Sequence, residues 1–269
     1  RAAAVAALLR AVTAMLYTGD IAPGLRDWSD ALHDRFALPF FLRQDLHAVF
    51  DDLEAQGVGL EHCVREALLD DPFKPRWTTR FAACELAIER AVEFWPLVGD
   101  VASQEAGGSR MVDASTARLQ ISLRGIERDG PTLEKWRLRV GGIEAPLHSA
   151  HDGAGAVRLI GVRYRDFLPW RGLHPAIRPQ GPLHLVLEHP DVPSALWVTL
   201  HNWHPRGLPY EGLPATLEEA ATRRAERMVI SEVARSDVAQ GTMPPIGAMR
   251  GYTLDLRLCA QDAERRGDT

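Results

Sequence analysis

The chain has 269 residues, 46% of them apolar and 25% charged, with 31 basic against 36 acidic side chains and a formal net charge of −5. That length buries a full core in one large domain or two small ones. An acidic balance without a basic stripe excludes the ordinary nucleic-acid and anionic-membrane binders, and no run approaches the roughly 20 apolar residues of a membrane span.

The three cysteines, Cys63, Cys84 and Cys259, are far apart and form no CxxC pair. Such usage fits a reducing cytoplasm and leaves no zinc knuckle. Because the first residue is Arg1, the chain reads as a fragment or processed product.

Val5, Leu8, Leu9, Val12 and Leu16 recur at helical spacing, so residues 2–17 are expected to form an amphipathic helix that Gly19 and Pro23 stop. A short helix carrying Leu32 and Phe36 follows Trp28. Pro39 suits a first helical position, and the stripe Leu42, Leu46, Val49, Phe50, Leu53 runs to Gly57. Val64 and Leu68 mark a third helix over 60–69, broken at Asp71-Pro72. From Phe81 to Trp95 the periodicity fits either one helix or two strands.

A glycine-rich turn at 105–109 is then followed by short alternating runs. These are Leu119, Ile121, Leu123; Trp136, Leu138, Val140; and Val157, Leu159 with Val162, Tyr164. Leu183, Leu185, Leu187 and Leu196, Val198, Leu200 make two more strands around a turn at Pro190, Asp191 and Pro193. The proline-rich piece from Pro169 to Pro182 is expected to cross an edge, since proline has no donor for a ladder. Thr216 and Glu219 form a capping box ahead of a helix over 217–230, and Tyr252, Leu254, Leu256 make a last strand before a charged, frayed tail.

These elements predict an α+β fold: a helical N-terminal part over 1–75, an antiparallel, sandwich-like β-rich domain over 76–213, and a C-terminal helix, final strand and tail over 214–269. The stretch 157–214 holds five of the ten histidines and nine of the eighteen prolines, so it is the expected polar rim.

There is no GxxxxGK[ST], GxGxxG, GxSxG or HExxH motif. Cys63 and Cys84 lie among apolar residues and read as structural rather than nucleophilic. His201 and His204 converge if the chain turns there. A metal site would then need a third ligand such as His189 or Glu211, whereas the bland role is a ring hydrogen-bonding loop backbone. His33-Asp34-Arg35 reads as a buried ion pair or hydrogen bond joining helix to sheet. Arg163 and Arg165 alternate along a strand and share a face, where guanidinium forks would suit a carboxylate or phosphate; a solvated face with Asp166 nearby is the plainer account. Asp71, Glu85 and Glu89 are the acids nearest the helix-to-sheet change and candidates to hold Mg²⁺; a surface charge pattern also explains the two glutamates.

The blocks ALHDRFALPFFLRQDL (31–46), VDASTARLQISLRG (112–125), VRYRDFLPWRGLHPAI (162–177), HNWHPRGLPYEGLP (201–214) and YTLDLR (252–257) resemble, in this order, the C-terminal part of a large bacterial amidoligase family whose members carry an N-terminal transglutaminase-like domain. The resemblance runs from Tyr17 to Leu258. It implies joining of a carboxylate to an amine with ATP and Mg²⁺, a sheet similar to that of glutamine synthetase, a peptide as substrate, and upstream catalytic and transglutaminase-like domains as partners. On the family pattern Asp71, Arg76 and Trp95 fit, while Ala87 stands where an acid is expected and Glu89 where an arginine is expected. The resemblance makes Asp71, Arg76 and Glu89 the catalytic candidates. Arg163, Arg165, His174, His201, His204 and Tyr210 are the substrate-binding candidates. From another class, a non-catalytic β-sandwich module would grip a partner with Trp170, Trp197 and Trp203. A metal hydrolase using His201 and His204 ranks last.

Overall fold

The computed structural model describes residues 1–18, 28–69, 76–93, 116–127, 130–166 and 179–259. Asp71, Trp95, Trp170, His174, the turn at 105–109, most of the proline-rich crossing and the tail beyond Cys259 lie outside the described residues. The chain divides into two compact units, Arg1–Pro75 and Arg76–Thr269.

The first unit is helical. Helix α1 (Ala2–Thr18) packs with α2 (Pro39–Ala55) and α3 (His62–Leu69). The expected helix after Trp28 is instead a pair of 3-10 turns, Ser29–His33 and Arg35–Ala37. Pro39 occupies the first turn of α2, where its missing donor costs nothing, and Gly57 follows the helix at φ +72°. Ala37, Leu38, Phe40, Phe41, Phe50 and Leu53 form the buried centre. Leu42, Leu46 and Val49, expected in that stripe, are only half-buried. Among the described residues no helix is long and apolar enough to cross a membrane.

The second unit is a sandwich of two sheets. Residues 81–90 resolve as strand: β1 (Arg76–Phe81) and β2 (Cys84–Arg90) form a hairpin. Its two turn residues, Ala82 and Ala83, have φ of 44° and 60°, the sign a two-residue hairpin turn demands. Strands β3 (Thr116–Gly125), β6 (His148–Asp152), β7 (Gly155–Arg165), β11 (Met249–Arg250) and β12 (Thr253–Asp255) complete a seven-stranded sheet in the order β1-β2-β3-β7-β12-β11, with β6 paired to the first half of β7. All its pairings are antiparallel except β12 with β7.

The five-stranded sheet runs β10-β9-β8-β4-β5, from β4 (Arg137–Val140), β5 (Ile143–Ala145), β8 (Leu183–Glu188), β9 (Ser194–Leu200) and β10 (Met228–Ala234). Alternation sends Leu86, Ile88, Leu119, Ile121, Leu123, Ile160, Val162, Tyr164 and Leu254 from one sheet against Leu138, Val140, Leu185, Leu187, Leu196 and Val198 from the other. Arg158 pins β7 to the turn before β4, donating to the carbonyls of Leu133, Glu134, Trp136 and Leu147 at 2.7–3.3 Å.

Helix α4 (Leu217–Ala225) is capped as expected: Glu219 N–H donates to Thr216 Oγ1 at 3.1 Å, and Ala215 N–H donates to Glu219 at 2.8 Å. It stops five residues short of the predicted end. The apolar run Met228-Val229-Ile230 leaves the helix and pairs along β9 as the start of β10. Trp77 Nε1 donates to the Arg224 carbonyl at 2.8 Å and so holds the C-terminal turn of α4 to β1.

Candidate functional site

In the seven-stranded sheet, if every second residue is apolar and packs inward, the intervening residues share the opposite face. These are Arg76 on β1, Glu89 on β2, Thr116, Arg118 and Gln120 on β3, Arg163 and Arg165 on β7, and Thr253 and Asp255 on β12. The register aligns Arg76, Glu89, Gln120, Gly161 and Thr253 in one row, and Arg118, Arg163 and Asp255 in the next. A polar outer face is ordinarily solvated, yet Glu89, Thr116, Arg118, Gln120, Thr253 and Asp255 are all buried. Buried charge is stable only when paired and hydrogen-bonded.

The pairing is an alternating chain of arginine and acid. Glu93, just past β2, accepts from Arg118 Nε at 3.3 Å and from Arg163 Nε at 3.0 Å, with a second Arg163 bond to its other oxygen. Arg163 also lies 3.8 Å from Asp255, which Arg257 grips with two bonds at 2.9 and 2.7 Å. The other Arg257 nitrogen donates to Thr116 Oγ1 at 3.1 Å. In the neighbouring row Glu89 accepts from Gln120 Nε2 at 3.2 Å and faces Arg76 at 3.8 Å. Side-chain exposure is 4% for Arg118, 7% for Glu93 and 29% for Arg163, so Arg163 is the reachable member and the others fix it. Asp166 is fully buried beside Arg90 at 3.6 Å.

The structure therefore brings Arg76, Glu89, Arg163 and Arg165 to one sheet face; Asp71 and His174 lie outside the described residues. His201, His204 and Tyr210 sit elsewhere, in the loop after β9. There His201 and His204 line a cleft of about 160 Å³ with Gly181, Asn202 and Trp203 among its walls. Tyr210 packs on the His204 ring at 5.2 Å and on Trp203 at 4.8 Å, with the Arg223 guanidinium 4.7 Å over its own ring. His204 Nδ1 accepts from the Arg206 N–H at 3.1 Å, the loop-holding role that His-Pro turns favour. Burial holds the His201 imidazole below its ordinary value, and His184 pushes the same way. The two sites share β7: Arg163 and Arg165 face outward while Tyr164, between them, points inward and donates to Asn202 at 2.6 Å.

Several expectations need correction. His189 does not join His201 and His204: its Nε2 contacts the Thr132 carbonyl at 3.1 Å, its Nδ1 accepts from the Asp191 N–H, and its ring lies on Trp136. Among the described residues no group of three or more His, Cys, Asp or Glu is placed to hold a metal ion. Cys63 is exposed rather than set among apolar groups, whereas burial pushes the Cys84 thiol up to about 12. His33 and Arg35 are exposed, with the Arg35 guanidinium over the Phe36 and Phe41 rings.

Arg118, Gln120, Glu93, Asp255 and Arg257 were missed from sequence. For Arg118, Gln120, Asp255 and Arg257 the signal was present in TARLQISLRG and YTLDLR, whose polar residues alternate with the apolar ones that identify the strands; Glu93, past the end of β2, carried no such signal.

No curated protein and no solved structure gives a significant match to the chain. The family model described as "Putative amidoligase enzyme (DUF2126)" matches residues 2–257, which takes in most of both units and every residue of the buried polar face, and the chain belongs to that family.

Proposed function

We propose that this chain supplies the anion-binding surface of an ATP-dependent amidoligase, a carboxylate-amine ligase that forms or modifies peptide-type bonds. The observation that carries the reading is the row Arg118, Glu93, Arg163, Asp255, Arg257: guanidiniums held in fixed orientation by buried acids on one sheet face. A carboxylate does not react with an amine unaided. Phosphoryl transfer from ATP converts it to an acyl phosphate, the amine attacks the carbonyl carbon, and inorganic phosphate leaves as the amide forms. Negative charge persists through every stage, and a preorganised guanidinium stabilises it without reorganising. Arg163 is placed for that contact; Arg118 and Arg257 position it through the shared acids Glu93 and Asp255.

The described residues do not fit a magnesium ion: Glu89, Glu93 and Asp255 each face arginine, and no three-ligand group is present among them. In this proposal ATP and Mg²⁺ are held by residues beyond the described ones, the ligase works with a transglutaminase-like partner domain, and the setting is cytoplasmic. The cleft at His201 and His204, tied to β7 through Tyr164 and Asn202, is proposed to receive part of the same substrate.

The test is release of inorganic phosphate from ATP by the full-length protein with Mg²⁺ and a panel of carboxylates and amines. Release that requires both partners, and that Arg163→Gln abolishes, is the expected result. Failure of every pair would leave a second reading, a non-catalytic assembly module. Ala87 at the position where the family pattern expects an acid favours that reading.

A further inference from the structure

Among the described residues the five-stranded sheet ends on β10. β10 pairs with β9 over seven consecutive residues, from Met228 opposite Leu200 to Ala234 opposite Ser194. Arg227 O accepts from His201 N–H, and Arg235 N–H donates to Pro193 O. The backbone groups of a strand point alternately to either side, so 227, 229, 231, 233 and 235 face β9, while Met228, Ile230, Glu232 and Ala234 direct theirs away from the sheet. Among the described residues nothing pairs with that outer edge, and Val229 and Ile230 are 51% and 41% exposed. The opposite edge is different: β5 is bridged by Thr242, with Glu144 N–H donating to the Thr242 carbonyl at 2.8 Å.

An uncovered edge is a template for another strand, and proteins usually guard it with lysine, proline, a bulge or brevity. β10 has no lysine, no proline and an unbroken register, and its one charge is Glu232. A second copy of the chain fits poorly. In the two-fold antiparallel pairing centred on Ser231, Ile230 of each copy faces Glu232 of the other; shifting the register by two residues puts Met228 opposite Glu232, or Glu232 opposite itself. A seven-residue edge also buries less than the roughly 1,200 Å² of a stable interface between folded proteins.

From the edge geometry we infer that β10 binds an extended peptide by strand addition, with main-chain bonds to residues 228, 230, 232 and 234 and a preference for an apolar residue opposite Ile230 and a basic one opposite Glu232. The strand begins beside His201, so a peptide on it runs toward the His201–His204 cleft. This inference stands apart from the ligase chemistry, because binding is read without turnover.

The experiment uses fluorescence anisotropy with the whole chain and a labelled heptapeptide, blocked at both ends, alternating threonine with valine and lysine. Saturable binding in the micromolar range is expected, weakened about tenfold by N-methylation of the peptide's alternate amides and about fivefold when glutamate replaces its lysine. Ile230→Pro removes one outward donor and no β9 bond, so it should weaken binding about tenfold with the circular dichroism spectrum unchanged. Thr13→Ala, exposed on α1, should bind the peptide as the parent chain does. Binding indifferent to N-methylation would overturn the inference, as would a chain that binds no peptide or that sediments as a dimer lost in Ile230→Pro.

Discussion

Glu93 joins two guanidiniums, Arg118 and Arg163, and its side chain is only 7% exposed. Removing one partner of a buried ion pair leaves the other charge uncompensated, at a cost of about 3–5 kcal/mol. Arg118→Ala is therefore expected to lower the urea-unfolding free energy by about 3 kcal/mol. Arg163→Gln, at a side chain 29% exposed, should disturb stability much less and activity much more. His201 offers a pH test. Its folded value lies below the ordinary 6.5, so below that pH the unfolded chain binds a proton that the folded chain refuses. Stability contributed by the neutral ring is full above about 6.5 and declines as pH falls toward the folded value. His201→Asn should flatten that decline in denaturation curves taken between about pH 7 and 5. Cys63 should react with a thiol reagent at once, and Cys84, buried and raised to about 12, only on unfolding.

Among the elements, the segment around Gly241 shows how a glycine secures a sheet edge. A Cβ at Gly241 would sit 2.4 Å from Glu144 Oε1 and 2.6 Å from Arg139 Cδ. Those two side chains are themselves paired at 3.3 Å, and Arg139 also holds Glu188 at 2.5 Å. Gly241→Ala should therefore displace the segment that bridges to β5 through Thr242 and cost about 1–3 kcal/mol, read as a lowered melting temperature. Thr216→Ala removes the α4 cap and should cost about 1 kcal/mol.

Element type was legible wherever apolar spacing was clean: α1, α2 with Pro39 and Gly57, β8 and β9 around the Pro190–Pro193 turn, and the Thr216 cap all follow from local chemistry. The end of α4 was not. Met228, Val229 and Ile230 fit helix or strand equally by periodicity, and pairing with β9, a long-range contact, decides for strand. The same kind of pairing decided for strand β2 in 81–95, where the periodicity fitted one helix or two strands.

For the whole molecule, an α+β chain with a helical front and a two-sheet body was readable because the polar turns punctuate short alternating runs. The buried polar face was not, because its residues lie far apart in sequence. Glu89, Arg118, Arg163 and Asp255 meet only through the β2-β3-β7-β12 order, and that order includes the parallel β7-β12 pair that an antiparallel reading does not anticipate. Arg163 and Arg165 were recognisable as sharing a face, but the acids that orient Arg163 come from other strands. The histidine loop gave the opposite result: its residues are conspicuous in sequence, and the structure uses His204 and Tyr210 largely to pack the loop.

In the proposed ligase the outer face of the seven-stranded sheet holds the anionic substrate through Arg163. The most direct measurement is ATP-dependent phosphate release by the full-length protein carrying Arg163→Gln, beside Thr199→Ala on the outer face of the other sheet as control. A loss of about a hundredfold or more is expected for the arginine variant, with its melting temperature nearly kept, and parent-like turnover for the control. Undiminished turnover by Arg163→Gln would contradict it.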